Sequence, residues 1–205
     1  MLVVIRGAGD LASGIAVRLH RAGASVVALD VAVPTAVRRT VAFSEAIRLG
    51  ETYVEDVRGV FAHDAAEAFA IARTGDVAVA IDPAGETIPV LAPDVVVDAI
   101  LAKRNLGTTR DMAPVVIGVG PGFTAPVDCH AAVETMRGHD LGRVYYAGSP
   151  VPNTGVPGDI GGYTIERVLR APADGLFEPV LSIGDLVHAG DVAATVAGVP
   201  LPCTI

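Results

Sequence analysis

Gly7-Ala8-Gly9-Asp10-Leu11-Ala12 has the form GxGxxA and stands between an apolar run and a segment of helical spacing. Such a loop can hold a pyrophosphate. Gly7 supplies the tight turn, Gly9 lets the backbone approach the ligand, and the small Ala12 lets helix and strand pack closely. Unsatisfied N–H groups of the helix then face the anion. Asp30 closes the next apolar run, 21 residues after Gly9, where a carboxylate can accept from ribose hydroxyls. Asp10 works against this unless it points away as a helix cap, because a carboxylate in the loop repels phosphate. The alternative is a loop that keeps its glycines for geometry and binds nothing.

Further groups stand at other strand ends. Arg38 and Arg39 follow Asp30 and could meet an anion, or form a solvated basic face. Asp98 and Lys103 stand near the end of a later strand, and Lys103 could hold a phosphate or carbonyl oxygen with Asp98 fixing it, or the two could form a structural ion pair. Gly118-Val119-Gly120-Pro121-Gly122 is a second Gly-rich turn, read here as a further ligand contact through Gly120 and Gly122. Asp128, Cys129, His130 and Glu134 follow it and make the densest chemical cluster in the chain. Asp128 with His130, or His130 with Glu134, could serve as acid and base. Cys129 beside His130 invites a thiolate, but adjacent strand residues face opposite ways, which favours a buried apolar Cys129. No metal-ligand spacing such as HExxH is present.

The elements that must position these groups follow from apolar patterning. Leu2–Arg6, Ser25–Asp30, Asp76–Ile81, Asp94–Ile100 and Pro114–Val119 read as buried strands. Asp10–Arg21 and His63–Arg73 read as helices, with a short one near Ser44–Leu49. Strand and helix in alternation predict an α/β fold, a Rossmann-like parallel sheet over residues 1–125. Residues 126–170 form a Gly/Pro-rich connecting region, with four glycines and three prolines in Ser149–Gly162 that suit either a lid or a plain connection. Residues 171–205 end a run of short strands, Ile165–Leu169, Phe177–Ser182, Asp191–Val196 and Val199–Thr204, in a small β module. Its pattern breaks off at the chain end, so it is read as incomplete or as completed by another chain in a homo-oligomer.

Composition narrows the field. Of 205 residues, 51% are hydrophobic and 19% charged, which excludes intrinsic disorder. The net charge of −8 argues against nucleic acid as a partner. No apolar run approaches the roughly 20 residues that span a bilayer, and no signal peptide is visible. Two cysteines with no CxxC pair make no disulfide framework, so the reducing cytoplasm is the expected location. Lys103 is the only lysine.

Several stretches together resemble one family, the accessory proteins of selenium-dependent molybdenum hydroxylases. They are RGAGDLASG (Arg6–Gly14), VRRTVAFSEA (Val37–Ala46), AKRN (Ala102–Asn105) and GPGFTAPVD (Gly120–Asp128), then ETMRGHDLGRV (Glu134–Val144), PNTGVPGDIGGY (Pro152–Tyr163) and ERVLRAP (Glu166–Pro172). The family is similar in role to xanthine dehydrogenase accessory proteins. The resemblance implies a protein that helps build, modify or insert a molybdopterin-type cofactor, with the client hydroxylase as its partner. The tail from Ser182 to Ala194 also looks like half of a biotinyl/lipoyl-type hammerhead, though it has no lysine to carry a prosthetic group. The expected ligand is a molybdopterin dinucleotide or another nucleotide. The competing expectations are an NAD(P)-dependent oxidoreductase and a non-enzymatic scaffold for the hydroxylase.

Overall fold

Apolar runs without polar alternation have to be covered on both faces, and this dictates a sheet between two helical layers. The computed structural model describes residues 1–155 and 158–204, and it has that form. Val156 and Pro157 of the Gly/Pro-rich stretch and Ile205 of the β module lie outside the described residues. The chain divides into two units, Met1–Asn153 and Thr154–Ile205.

The first unit is mixed α/β. In chain order it contains β1 (Leu2–Arg6), α1 (Asp10–Arg21), β2 (Ser25–Asp30), α2 (Glu45–Leu49), β3 (Glu51–Val54) and β4 (Val57–Ala62). Then come α3 (Ala65–Thr74), β5 (Val77–Ile81), α4 (Ile88–Leu91), β6 (Val95–Asp98), β7 (Val115–Val119), β8 (Ala131–Val133) and β9 (Val144–Tyr145). They form one sheet in the order β3-β4-β5-β2-β1-β6-β7-β8-β9. All pairs are parallel except the two edge pairs, β3 with β4 and β8 with β9.

Alternate residues of each strand enter opposite cores. Val3 and Ile5 pack with Ala12, Ala16 and Val17 of α1, and with Phe43 and Ala46. Val4 packs on the other face with Ala68 and Ala72 of α3 and Ile88 and Leu91 of α4. The helix faces are largely alanine, which lets helices approach the sheet closely. The caps suit this arrangement. Asp64 accepts from the Glu67 N–H at 2.8 Å and Glu67 accepts from the His63 N–H at 2.7 Å, which fixes the start of α3. In α1 no side chain caps the N-terminus.

The predicted boundary at residue 125 falls instead at Asn153, because β8 and β9 continue the sheet. The hairpin β3–β4 and the single turn α4 are additions to the predicted elements. No described helix is long and apolar enough to cross a membrane.

The second unit holds a three-stranded antiparallel sheet of β10 (Phe177–Pro179), β11 (Val192–Val196) and β12 (Val199–Pro202). The strand expected at Ile165–Leu169 is a 3-10 turn, Ile165–Arg167. Glu166 accepts from the Thr164 N–H at 2.8 Å, a local bond that competes with strand pairing. Ala194 and Val196 are buried, while Leu176, Phe177, Val180 and Leu186 are exposed.

Candidate functional site

The sheet order turns about β1. From β1 the chain moves to β2 on one side, and later crosses to β6 on the other. In open parallel sheets the crevice beyond the carboxyl ends at such a reversal is where ligands sit. A cavity of about 360 Å³ lies there. It is lined by the loop after β1, the end of β2 and the segment through Arg38, together with Asp82 and Pro83 after β5 and the loop after β6.

The two loop glycines do different work. Gly7 has φ +100°, and a Cβ there would stand 2.8 Å from the Ala99 carbonyl oxygen. It is needed so that the ends of β1 and β6 can meet. Gly9 has ordinary extended backbone, φ −69°, and a Cβ there would meet nothing within 4 Å. Protein packing does not require a glycine at position 9. Gly9 is one of the residues lining the cavity.

Ala8, between them, is locked on both sides. Its N–H donates to Asp30 Oδ2 at 2.8 Å. Its carbonyl accepts from the Ser44 N–H at 2.9 Å and the Ser13 hydroxyl at 3.2 Å. The Ser13 hydroxyl also accepts from the Phe43 N–H at 2.8 Å. The loop is therefore tied to β2, α1 and the segment before α2 by protein hydrogen bonds. Ala12 is buried, as close packing of α1 on the sheet requires.

Asp10 lines the cavity but is ion-paired with Arg38, and it does not cap α1. Its charge is thus compensated, and the repulsion expected of it is removed by a partner rather than by a turned-away side chain. Arg38 lines the cavity and Arg39 does not. Asp30 lies at the tip of β2, with Oδ1 accepting from the Val31 N–H at 2.7 Å. Each of its oxygens keeps a lone pair for a further donor.

Two lining residues carry signals that the sequence did not single out. Arg6 is 2% exposed, its guanidinium bound to Thr108, to Asp98 at 3.4 Å, and to the carbonyls of Pro83 and Leu106 at 3.2 Å each. It joins β1, β6 and two loops under the cavity floor. Asp82 is buried and accepts from the N–H groups of Gly85, Glu86 and Thr87 and from the Thr87 hydroxyl. Burial pushes its carboxyl up, but the hydrogen bonds from Thr87, Glu86 and Gly85 outweigh this and hold it below the usual aspartate value.

Other predicted site residues fall elsewhere. Lys103 is exposed, does not line the cavity, and is not the partner of Asp98, which is bound to Arg6 and Thr108. Gly120 and Gly122 also lie outside the cavity lining. A Cβ on Gly120 would stand 3.0 Å from Thr135 Oγ1, and one on Gly122 would meet the Arg104 backbone, so both glycines serve chain packing.

The dense cluster does not converge as an acid–base site. Asp128 accepts from the Thr124 N–H at 2.8 Å, closing a turn. His130 accepts through Nδ1 from the Val116 N–H at 2.9 Å. Glu134 is buried and accepts from the N–H groups of Thr135, Met136 and Val151 at 2.7–2.8 Å. Burial raises the Glu134 carboxyl, yet the Val151, Met136 and Thr135 bonds more than offset this and leave it below the ordinary glutamate value. Each of these side chains holds backbone, and none lines the cavity. Cys129 is fully buried, and burial pushes its thiol up.

The chain is similar to an uncharacterized protein of Escherichia coli (strain K12), YqeB, with 55% identity over 193 residues. The match covers 94% of this chain and 36% of the relative, so the chain spans about a third of the length of the curated relative it matches. No family model matches the chain. No solved structure matches it.

Proposed function

We propose that the cavity binds a nucleotide-type ligand, with its pyrophosphate against Gly9 and the first turn of α1. We further propose that the first unit is a Rossmann-like domain serving as an accessory factor in the maturation of a molybdenum hydroxylase. The observation that carries the ligand reading is Gly9. Beyond its chain neighbours, no protein atom lies within 4 Å of where its Cβ would stand, and Gly9 lines the cavity. A pyrophosphate fits there because the adjacent helix N-terminus has no side-chain cap and its N–H groups favour an anion. Arg38, already held by Asp10 at the cavity wall, adds a cation.

The maturation role rests on the resemblance set out above, with the client hydroxylase as partner and a molybdopterin dinucleotide as ligand. The dinucleotide would supply the pyrophosphate and the nucleoside, and Gly9, Asp30 and Arg38 would hold that end. Asp128, His130 and Glu134 are given no part in holding it, since each is committed to backbone. The NAD(P)-dependent oxidoreductase shares the loop but also needs a proton-transferring group beside the ligand. The titratable groups lining the cavity, Arg6, Asp10, Asp30, Arg38 and Asp82, are each already bound by protein atoms. This favours maturation over turnover.

A melting and calorimetric screen with NAD, NADP, FAD, CTP, CDP and a molybdopterin-cytosine-dinucleotide preparation tests the reading. A ligand at 100 times its Kd stabilises the fold by about 2.7 kcal/mol. Selective stabilisation by the molybdopterin species is the expected result. Stabilisation by NAD or NADP alone would shift the assignment to an oxidoreductase. Silence throughout would leave a scaffold.

A further inference from the structure

The chain is acidic, with a net charge of −8, yet some of its cations have no carboxylate. Lys103, Arg104 and Arg137 are exposed, and among the described residues none of them makes an ion pair or a side-chain hydrogen bond. The fold brings these three together. β6, β7 and β8 run parallel, so their carboxyl ends share one edge of the sheet. Lys103 and Arg104 lie on the loop after β6, and Arg137 lies on the segment after β8.

The glycine turn after β7 joins those two segments. A Cβ on Gly122 would stand 2.5 Å from the Arg104 Cα. One on Gly120 would stand 3.0 Å from Thr135 Oγ1 and 3.1 Å from Leu101 Cδ2. Arg137 follows Thr135 by two residues, at most about 7 Å of chain. The carboxylates on the same segments are taken: Asp98 by Arg6, Asp140 by Arg143, and Glu134 by backbone N–H groups. Leu101 and Lys103 hold left-handed backbone, φ +59° and +64°, which costs free energy in any residue but glycine. Strain of this kind gathers where the shape of a loop is used.

None of the three cations lines the cavity. They form open surface, flanked by the exposed side chains of Leu106 and Met136, and small ligands prefer concave sites. A basic patch beside exposed apolar groups fits a protein surface of opposite charge, and the acidic remainder of the chain repels nucleic acid. Resting on the accessory-factor reading above, we propose that Lys103, Arg104 and Arg137 dock an acidic segment of the partner protein. The loop after β6 also lines the cavity, through Ala99, Ile100, Leu101 and Leu106, so the partner is seated beside the ligand.

The test titrates the full chain with a fluorescein-labelled glutamate peptide of about ten residues, at about 50 mM and about 200 mM salt. Two double variants are compared. Arg104→Glu with Arg137→Glu reverses the patch. Arg18→Glu with Arg73→Glu changes net charge equally, at exposed cations on α1 and α3 that are also unpaired. Binding that weakens with salt is expected, with a loss of at least about tenfold in the patch variant and under about threefold in the control. Lys103→Asn, which left-handed backbone accepts, is expected to weaken binding about threefold without shifting the melting temperature. No peptide binding by the natural chain at low salt, or equal losses in both double variants, overturns the proposal. So does a dimer that the patch variant dissociates, which would make the occupant a second copy. Tighter binding of a single-stranded oligonucleotide of matched charge through the same residues also overturns it. Nucleotide titrations of the same proteins keep the two readings apart. Nucleotide binding without peptide binding sinks the docking surface alone, and peptide binding through the patch without any nucleotide sinks the ligand reading alone.

Discussion

Gly7 and Ala99 approach so closely that a Cβ on Gly7 would stand 2.8 Å from the Ala99 carbonyl oxygen. This contact brings the ends of β1 and β6 together and forms one wall of the cavity, and it has no counterpart at Gly9. The loop's two glycines therefore differ in what the fold requires of them, and substitutions can address each alone.

Gly7→Ala combines a positive φ with a backbone collision, and is expected to destabilise the protein by about 2–4 kcal/mol. Urea unfolding of the variant beside the natural protein measures this directly. A variant as stable as the parent would mean that the strand ends are not held as described.

Arg6→Met removes the cation from a buried network and leaves Asp98 unpaired. A loss of about 3–5 kcal/mol is expected. Replacing Asp98 by Asn in the same chain should recover part of that loss, since an amide has no charge to strand. Denaturant midpoints of the two single variants and the double variant form the cycle that reads this coupling.

Glu134 gives the protein an acid-sensitive joint. Its folded carboxyl titrates below its unfolded value. The stability it contributes is therefore complete above the unfolded pKa of about 4.3 and is lost as pH falls from there through the folded value. Glu134→Gln should lower stability at neutral pH by about 1–3 kcal/mol, because an amide nitrogen replaces an acceptor of a backbone N–H. It should also flatten the decline in melting temperature below about pH 5. Ligand affinity should not change.

Cys129 is enclosed and its thiol is raised by burial, while Cys203 is part-exposed. A thiol reagent at pH 8 should label Cys203 in the folded protein and reach Cys129 only on unfolding, as peptide mapping would show. Rapid labelling of Cys129 in the folded state would contradict its burial and reopen the thiolate reading.

The sequence was most informative where function is local. Gly7 and Gly9 on the loop and Ala12 in the first turn of α1 lie within six residues, and their spacing alone suggests a strand, a tight turn and a close-packed helix. Asp30 was readable because a strand ends there. Arg6 was not, since its partners Asp98 and Thr108 are 92 and 102 residues away and nothing local marks them. Asp82 was hidden in the same way, as an ordinary turn residue whose place beside Asp30 depends on β5 pairing with β2. The cluster Asp128, His130 and Glu134 misled for the opposite reason. Side chains close in sequence each found a backbone N–H before finding one another. Gly120 and Gly122 carry the same compositional signal as Gly7 and Gly9, and only the surroundings distinguish packing from an open cradle.

The most direct measurement compares Gly9→Ala with the natural chain, by melting temperature and by calorimetric titration with the tightest nucleotide found in the screen. The backbone at Gly9 suits alanine and a Cβ there meets no protein atom, so the fold should be unaffected. The methyl would occupy the space the pyrophosphate needs, so affinity should fall at least about tenfold, or 1.4 kcal/mol. Unchanged melting with lost binding is the predicted result. Unchanged binding in a folded Gly9→Ala protein would contradict the placement of the ligand and, with it, the proposed function of the loop.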